Sequence, residues 1–244
     1  MARQKRKIKN QSPHHSQNNH QSNTYQKGKE YAKKTWHFIW HSDSILSWIV
    51  NIVLAYVIIR FLFYPGLGML FGTSFPMVAV ISGSMEHRIT AQDSYHMPTL
   101  CGITFENAQR SISPNLYWEH CGSFYEEYNI TQDKFSSFLF PRGFNKGDII
   151  IIYGQDTKYL KIGDVIVFRS NVRAEPIIHR IIQIDEVNGE FVFTTKGDHN
   201  QALGPMDINI QESAVLGKGV FRIPYLGWVK IWFTDLVNLV AGNR

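Results

Sequence analysis

Cysteine is nearly missing from this chain: only Cys101 and Cys121 occur among 244 residues. There is no Cys-x-x-Cys and no matching histidine pair, so the spacing excludes a zinc site, and no metal or cofactor is implied. Acid is nearly missing from the first 34 residues, which hold nine Lys or Arg against the single acid Glu30. Low hydrophobicity and high charge predict a disordered tail there. Charge is nearly missing from Ile45 to Phe71, where Arg60 stands alone among apolar residues broken by Ser47, Asn51, Pro65, Gly66 and Gly68. No small-x-small cleavage triplet follows that run, so it reads as a retained anchor rather than a removed signal sequence. Residues 73–244 carry fifteen basic and eighteen acidic residues, so the overall charge of +5 belongs to the tail. A nucleic-acid-binding face on the folded part is excluded on that ground.

What is present divides the chain into four stretches. Residues 1–34 form the basic tail, read as cytoplasmic; it serves as a retention signal that touches anionic lipid, or is simply solvated. Residues 35–72 hold the anchor. About 20 apolar residues cross a bilayer core, and Trp36, Trp40 and Trp48 near the start of the run match an aromatic belt. With Pro65, Gly66 and Gly68 beyond Arg60, the spanning helix is expected from about residue 38 to 60. Arg60 would snorkel to the outer interface, and Phe61–Phe71 would form an apolar shelf on the outer leaflet. Residues 73–224 form an extracytoplasmic domain, and residues 225–244 an amphipathic helix. In that helix Val229, Trp232, Phe233, Leu236, Val237 and Val240 recur at helical spacing. It lies at the membrane interface or packs on the domain's own core.

The 73–224 stretch is mostly β. Phe75–Ile81, Asp148–Tyr153, Asp164–Arg169, Ile177–Ile184, Phe191–Lys196 and Val215–Phe221 are short, rich in Val, Ile and Phe, and bounded by Gly, Asp, Asn or Pro. Asn188-Gly189 predicts a type I′ hairpin. An aromatic-rich insertion, residues 88–146, interrupts the strands and contains both cysteines. Outside the membrane the two can pair as a disulfide; otherwise they are buried thiols. Asn129-Ile130-Thr131 is a glycosylation triplet of weak information content.

The chemistry gathers in three motifs. Ser82-Gly83-Ser84-Met85 lies just beyond the anchor, Pro176-Ile177-Ile178-His179-Arg180 and Lys196-Gly197-Asp198-His199-Asn200 far downstream. A Ser-Gly-Ser alone is a turn, and a histidine in an apolar strand is usually a core residue. Together, serine, histidine and aspartate are the parts of an acyl-transfer site. In this order, with Gly163–Phe168 and Ile223-Pro224-Tyr225-Leu226-Gly227, the set resembles type I signal peptidases of the archaeal and endoplasmic-reticulum branch, which use Ser, His and Asp. The resemblance covers roughly residues 45–87 and 147–230 and leaves the 88–146 insertion unexplained.

That resemblance implies a mostly-β signal-peptidase fold, related to self-cleaving repressor proteases, behind one N-terminal transmembrane helix. It implies Ser84 as nucleophile, His179 as base, and the Ser82 hydroxyl with the Ser84 backbone N–H as oxyanion donors. Asp198 is expected to orient His179, because it sits in a tight turn after a strand end; Asp207 is a second candidate, nine residues on. Lys196 is expected to be structural, and His87, in place of a usual proline, is not matched to a catalytic position. The implied activity is membrane-bound serine endopeptidase cleavage of signal peptides from preproteins with small residues at −1 and −3. The bilayer and the secretion translocon are the further partners. A catalytically inactive binding module and a peptidase for a narrow substrate set are the alternatives.

The charge bias predicts a single pass through the cell membrane with the N-terminus in the cytoplasm. Protease added outside intact cells should digest residues 73–244 and spare the tail; protection of the C-terminal domain would reverse that topology.

Overall fold

Three polar residues, Ser42-Asp43-Ser44, separate two helices at the start of the computed structural model, which describes residues 17–91 and 97–240. The chain forms two units, 1–63 and 64–244. In the first, α1 (Gln17–His41) is followed by α2 (Ile45–Ile58). Ser44 caps α2, accepting a bond from the Ser47 N–H at 3.1 Å. Ser47 Oγ and Asn51 Nδ2 then donate to the Phe38 and Ile39 carbonyls, at 2.6 and 2.8 Å. These are among the last carbonyls of α1, which have no partner within their own helix. Two expectations change here. Residues 17–34 are helical rather than disordered, with the last turn of α1 held by side chains of α2; residues 1–16 lie outside the described residues. The apolar helix begins at Ile45, not near residue 38, because the Ser44 cap starts it afresh.

Nor does that helix stop at Arg60. Residues Ile59–Phe63 widen into a π-helical turn, and α3 (Tyr64–Phe71) continues. A proline inside a helix lacks an N–H and collides with the carbonyl four residues earlier. The wider turn just before Pro65 relieves both problems. Gly72, at φ 64, ends the helix, and the Thr73 N–H returns to the Gly68 carbonyl at 3.1 Å. Ile45–Phe71 is therefore one helical stretch of 27 residues, about 40 Å long at 1.5 Å per residue. It is long and apolar enough to cross a bilayer.

In the second unit the expected strands are all found. They are β1 (Met77–Ala79), the small hairpin β2 (Thr99–Leu100) and β3 (Ile103–Thr104), β4 (Ile149–Tyr153), β5 (Val165–Phe168), β6 (Ile177–Val187), β7 (Glu190–Lys196), β8 (Ile210–Gln211) and β9 (Val215–Ile223). Seven form one antiparallel sheet in the order β1-β4-β9-β5-β6-β7-β8. Asn188 and Gly189 both take positive φ, 55 and 83, as the predicted tight hairpin requires. One core joins the sheet to the Ser84 segment through Val80, Met85, Phe144, Ile150, Ile152, Val165, Val167 and Ile178.

The 88–146 insertion has a core of its own. It carries α4 (Pro114–Glu126) and α5 (Gln132–Ser136), whose caps Ser113 and Thr131 bond the Leu116 and Lys134 N–H groups. Tyr117, Cys121 and Tyr125 project from one face of α4 onto Ile89, Leu100, Ile130, Phe135 and Ile182. Asn129, at φ 57, turns the chain between the two helices. Cys101 and Cys121 form a disulfide. Finally, α6 (Trp228–Val240) leaves its apolar side chains exposed: Val229 is 64% accessible, Trp232 66% and Phe233 67%.

Closing a loop of this length with a disulfide constrains the unfolded chain by about 3 kcal/mol. Purified without reductant, the protein should show no alkylatable thiol, and Cys101→Ser with Cys121→Ser should lower stability by about that amount in chemical denaturation. Two free thiols in the native protein would contradict the pairing.

Candidate active site

Strand β1 carries the chain into the loop that holds Ser82 and Ser84, and β6 carries His179 to the same place. Successive strand residues face opposite sides of a sheet, so His179 and its neighbour Arg180 serve different neighbourhoods. On the His179 side, Ser84 Oγ lies 3.0 Å from His179 Nε2. His179 Nδ1 lies 2.5 Å from Asp207 Oδ1. The carboxylate is an acceptor, so Nδ1 carries the proton and Nε2 is left to accept from the serine hydroxyl. Asp207 is itself held by the Thr195 hydroxyl at 3.0 Å and the Gly204 N–H at 2.8 Å. Burial alone would raise the Asp207 carboxyl, but its hydrogen bond to and electrostatic interaction with His179 and the Gly204 and Thr195 donors bring it below the usual carboxylate range. Ser82 Oγ lies 3.2 Å from Ser84 Oγ, at the exposed rim.

The acid beside His179 is thus Asp207, and the expectation of Asp198 is corrected. Asp198 lies on the Arg180 side, fully buried. Arg180 Nε and Nη2 grip its two oxygens at 3.0 and 2.7 Å. His87 Nε2 adds a bond at 2.9 Å and the Tyr125 hydroxyl another at 2.9 Å. Burial would raise this carboxyl, yet the Arg180 charge and the His87 and Arg180 hydrogen bonds outweigh it and hold it well below its ordinary value. The imidazole of His87 is lowered as well, but by burial itself, against the pull of Asp198, and its ring stacks on Tyr117 at 3.7 Å between centroids.

Asp198 and its turn also hold the serine segment. The His199 N–H donates to the Ser84 carbonyl at 2.8 Å, and His199 Nδ1 donates to the Glu86 carbonyl at 3.0 Å. The insertion grips the same turn: the Tyr117 hydroxyl donates to the Asp198 carbonyl at 2.9 Å, and the Cys101 N–H to the His199 carbonyl at 3.0 Å. Sequence reasoning missed His87, Tyr117 and Tyr125; the proline-to-histidine departure was their one visible signal. Gly197 is required by closeness, since a Cβ there would stand 2.8 Å from His179 Nε2. Lys196, brought by burial to about 8, is occupied by the Gly197 and Asn200 carbonyls at 3.0 and 2.5 Å and lies over the Phe124 ring. Those contacts fit a structural role.

A groove of about 340 Å³ opens over Ser84, His179 and Asp207, walled by Val78, Val80 and Ile81 on one side and Ile177, Ile178 and Met206 on the other. Among the described residues, strand β1 pairs only with β4. Residues Ile177–His179 pair with β5, while the β7 ladder begins at Arg180. Both walls therefore carry unpaired backbone groups. A serine hydroxyl, an imidazole and a buried carboxylate in series beside a strand-lined groove have the geometry that acyl transfer to a serine requires. Among the described residues no cluster of His, Cys, Asp and Glu could hold a metal ion.

No family model matches the chain. Curated proteins do. Over 91 residues the chain is 39% identical to the signal peptidase complex catalytic subunit sec11 of Schizosaccharomyces pombe, covering 35% of this chain and 47% of that one. It is 30% identical over 103 residues to the catalytic subunit SEC11 of Lachancea thermotolerans, covering 38% and 59%. It is 32% identical over 98 residues to human SEC11C, covering 38% and 51%. The chain spans about half the length of the curated relatives it matches, and the resemblance read from its motifs is borne out by their names.

Removing Asp198 leaves a buried guanidinium without its counter-charge, which costs about 3–5 kcal/mol. Asp198→Asn should therefore destabilise the domain far more than Asp207→Asn. Both carboxyls sit below their ordinary value in the folded protein. Their contribution is present above about pH 4, the unfolded carboxylate value, and is lost as pH falls through the lowered values. Circular dichroism against pH should show acid unfolding starting only below about pH 4, and starting at higher pH in Asp198→Asn; coincident curves for the two proteins would contradict the assignment.

Proposed function

We propose that the chain is a membrane-anchored serine endopeptidase that cleaves N-terminal signal peptides from exported preproteins. The observation that carries this reading is the Ser84–His179–Asp207 relay at the floor of the groove. The named relatives, catalytic subunits of signal peptidase complexes, support the substrate class.

The steps follow from the geometry. An extended substrate segment enters between β1 and Ile177–His179 and satisfies the free backbone groups of both, as strand addition does elsewhere. Small side chains at −1 and −3 would lie against the apolar walls of the groove. Ser84 Oγ attacks the scissile carbonyl carbon while His179 Nε2 takes its proton. Asp207 stabilises the resulting imidazolium and holds the ring in the productive tautomer. The Ser84 N–H and the Ser82 hydroxyl donate to the oxyanion. On collapse, His179 returns the proton to the leaving amine and an acyl-enzyme remains on Ser84. Water, deprotonated by His179, then releases the acid product.

The anchor sets where this happens. The catalytic unit follows Phe63, the basic tail precedes Ile45, and the charge bias places the tail in the cytoplasm and the groove outside it. The relatives are named as catalytic subunits of a signal peptidase complex, which supports a place for this chain in such a complex; a position near the secretion translocon is part of the same proposal.

Detergent-solubilised protein should cleave a preprotein at its signal-peptide junction. Ser84→Ala and His179→Ala should each reduce turnover by orders of magnitude with thermal stability unchanged. Asp207→Asn should reduce it by about 10⁴-fold with KM little altered, the loss of the correct tautomer in such a triad. Near wild-type turnover in either Ser84→Ala or His179→Ala would sink the reading.

A further inference from the structure

One motif has no part in the chemistry above: Asn129-Ile130-Thr131, in the insertion. An asparagine two residues before a serine or threonine, with no proline between, is an acceptor for N-linked sugar. The pattern occurs twice in the chain, and the other instance is Asn10-Gln11-Ser12 in the basic tail. The two triplets therefore flank the apolar stretch Ile45–Phe71.

Asn129 stands in the turn between α4 and α5, at φ 57. It and Thr131 are exposed, while Ile130 between them is fully buried in the insertion's core. The backbone makes the turn: the Asn129 N–H donates to the Glu126 carbonyl at 3.0 Å, and the Ile130 N–H to the Tyr125 carbonyl at 3.1 Å. Among the described residues nothing hydrogen-bonds the Asn129 side-chain amide. Asparagine tolerates positive φ and threonine caps a helix well, but neither role uses that amide. None of the residues lining the groove comes from the insertion, so a bulky group on Asn129 is attached away from the substrate's path. The Cys101–Cys121 disulfide independently points to an oxidising compartment, on the side of the membrane where such triplets are modified.

We propose that Asn129 carries an N-linked oligosaccharide, transferred from a lipid pyrophosphate donor. The bond from Nδ2 to the sugar's C1 forms as the C1–O bond to the pyrophosphate breaks. The lipid pyrophosphate leaves with the electron pair, and Nδ2 gives up one proton to the transferase. Only the side chain changes, so the turn is kept, and the sugar holds that end of the insertion in water. Transfer precedes closure of the insertion. In the folded protein the Thr131 hydroxyl is occupied as the α5 cap, accepting from the Lys134 N–H at 3.3 Å, and the buried Ile130 fixes the triplet in its turn. Cys121 lies eight residues earlier in the chain, so disulfide pairing competes with the transfer. The inference rests on the placement of residues 73–244 outside the cytoplasm and is independent of catalysis.

The test is synthesis of the full chain with endoplasmic-reticulum microsomes, whose lumen is the extracytoplasmic side and supplies the lipid-linked sugar. The protein should give a heavier band that peptide N-glycosidase removes, and the peptide containing residue 129 should then show the mass of a deamidated side chain. Asn129→Gln and Thr131→Ala should each lose the heavier band. Thr131→Ser, which keeps the hydroxyl and the cap, should retain it. Reductant present during synthesis, or Cys121→Ser, should raise the modified fraction; a fraction indifferent to both would overturn the order of events. Added protease separates the remaining outcomes. A protected domain with Asn129 unmodified would overturn the site. A digested domain, or sugar on Asn10 in place of Asn129, would overturn the topology and this inference together. Ser84→Ala should be modified as fully as the native chain, which separates the site from the catalytic reading.

Discussion

The arrangement around the groove depends on one ion pair, Arg180 with Asp198, buried on the side of β6 away from the groove. A carboxylate there would be costly alone. It is tolerated because a guanidinium, an imidazole and a phenol meet it with donors. Each donor comes from a different part of the chain: His87 lies three residues beyond Ser84, Arg180 one beyond His179, and Tyr125 on the insertion helix. The pair thus sets the separation between Ser84 and His179 without touching the Ser84 hydroxyl or the His179 ring. A buried salt bridge is weak evidence for stability as such; here it specifies an arrangement, and the Arg180 bonds to the Leu139, Phe140 and Gly163 carbonyls extend that specification to the surrounding loops.

Much of this was legible in the sequence. Alternating Val, Ile and Phe between turn residues located the sheet strands within a few residues, and Asn188-Gly189 named its hairpin outright. The serine and histidine were readable because motif order supplied what local pattern could not. The acid was not readable, since a carboxylate's partner is fixed by which face of β6 it meets, and alternation puts Arg180 on the face that Asp198 reaches. Asp207 returns to the His179 face because its own carbonyl accepts the Thr195 N–H at 2.7 Å, while its side chain bonds Gly204. Such a loop closure leaves little trace in composition. The π-turn before Pro65 was equally hidden: proline signals a helix end, and the backbone widening that lets the helix continue has no residue signature.

The insertion, opaque to pattern reading, acquires a physical role from its contacts. Its aromatic residues are not a loose surface cluster; Tyr117 and Tyr125 are fully packed and aim their hydroxyls at the Asp198 turn. Burial and the neighbouring Asp198 charge raise both phenols well above their ordinary value, so they remain donors throughout the working range. The disulfide anchors the same helix to the segment whose N–H bonds the His199 carbonyl. The 88–146 stretch therefore braces the site from behind, while leaving the groove to the sheet.

The groove's two unpaired walls have a consequence for solubility. Exposed strand edges invite other copies to continue the sheet, which is the first step toward insoluble aggregates. Here the invitation is kept short. β1 is three residues long, preceded by Pro76, and the free part of β6 runs only from Ile177 to His179 before β7 covers it. Edges this short give a second copy little to continue, while a few residues of extended peptide can still pair with them. The brevity that protects the protein from itself also limits what it can grip to a few residues of unfolded chain.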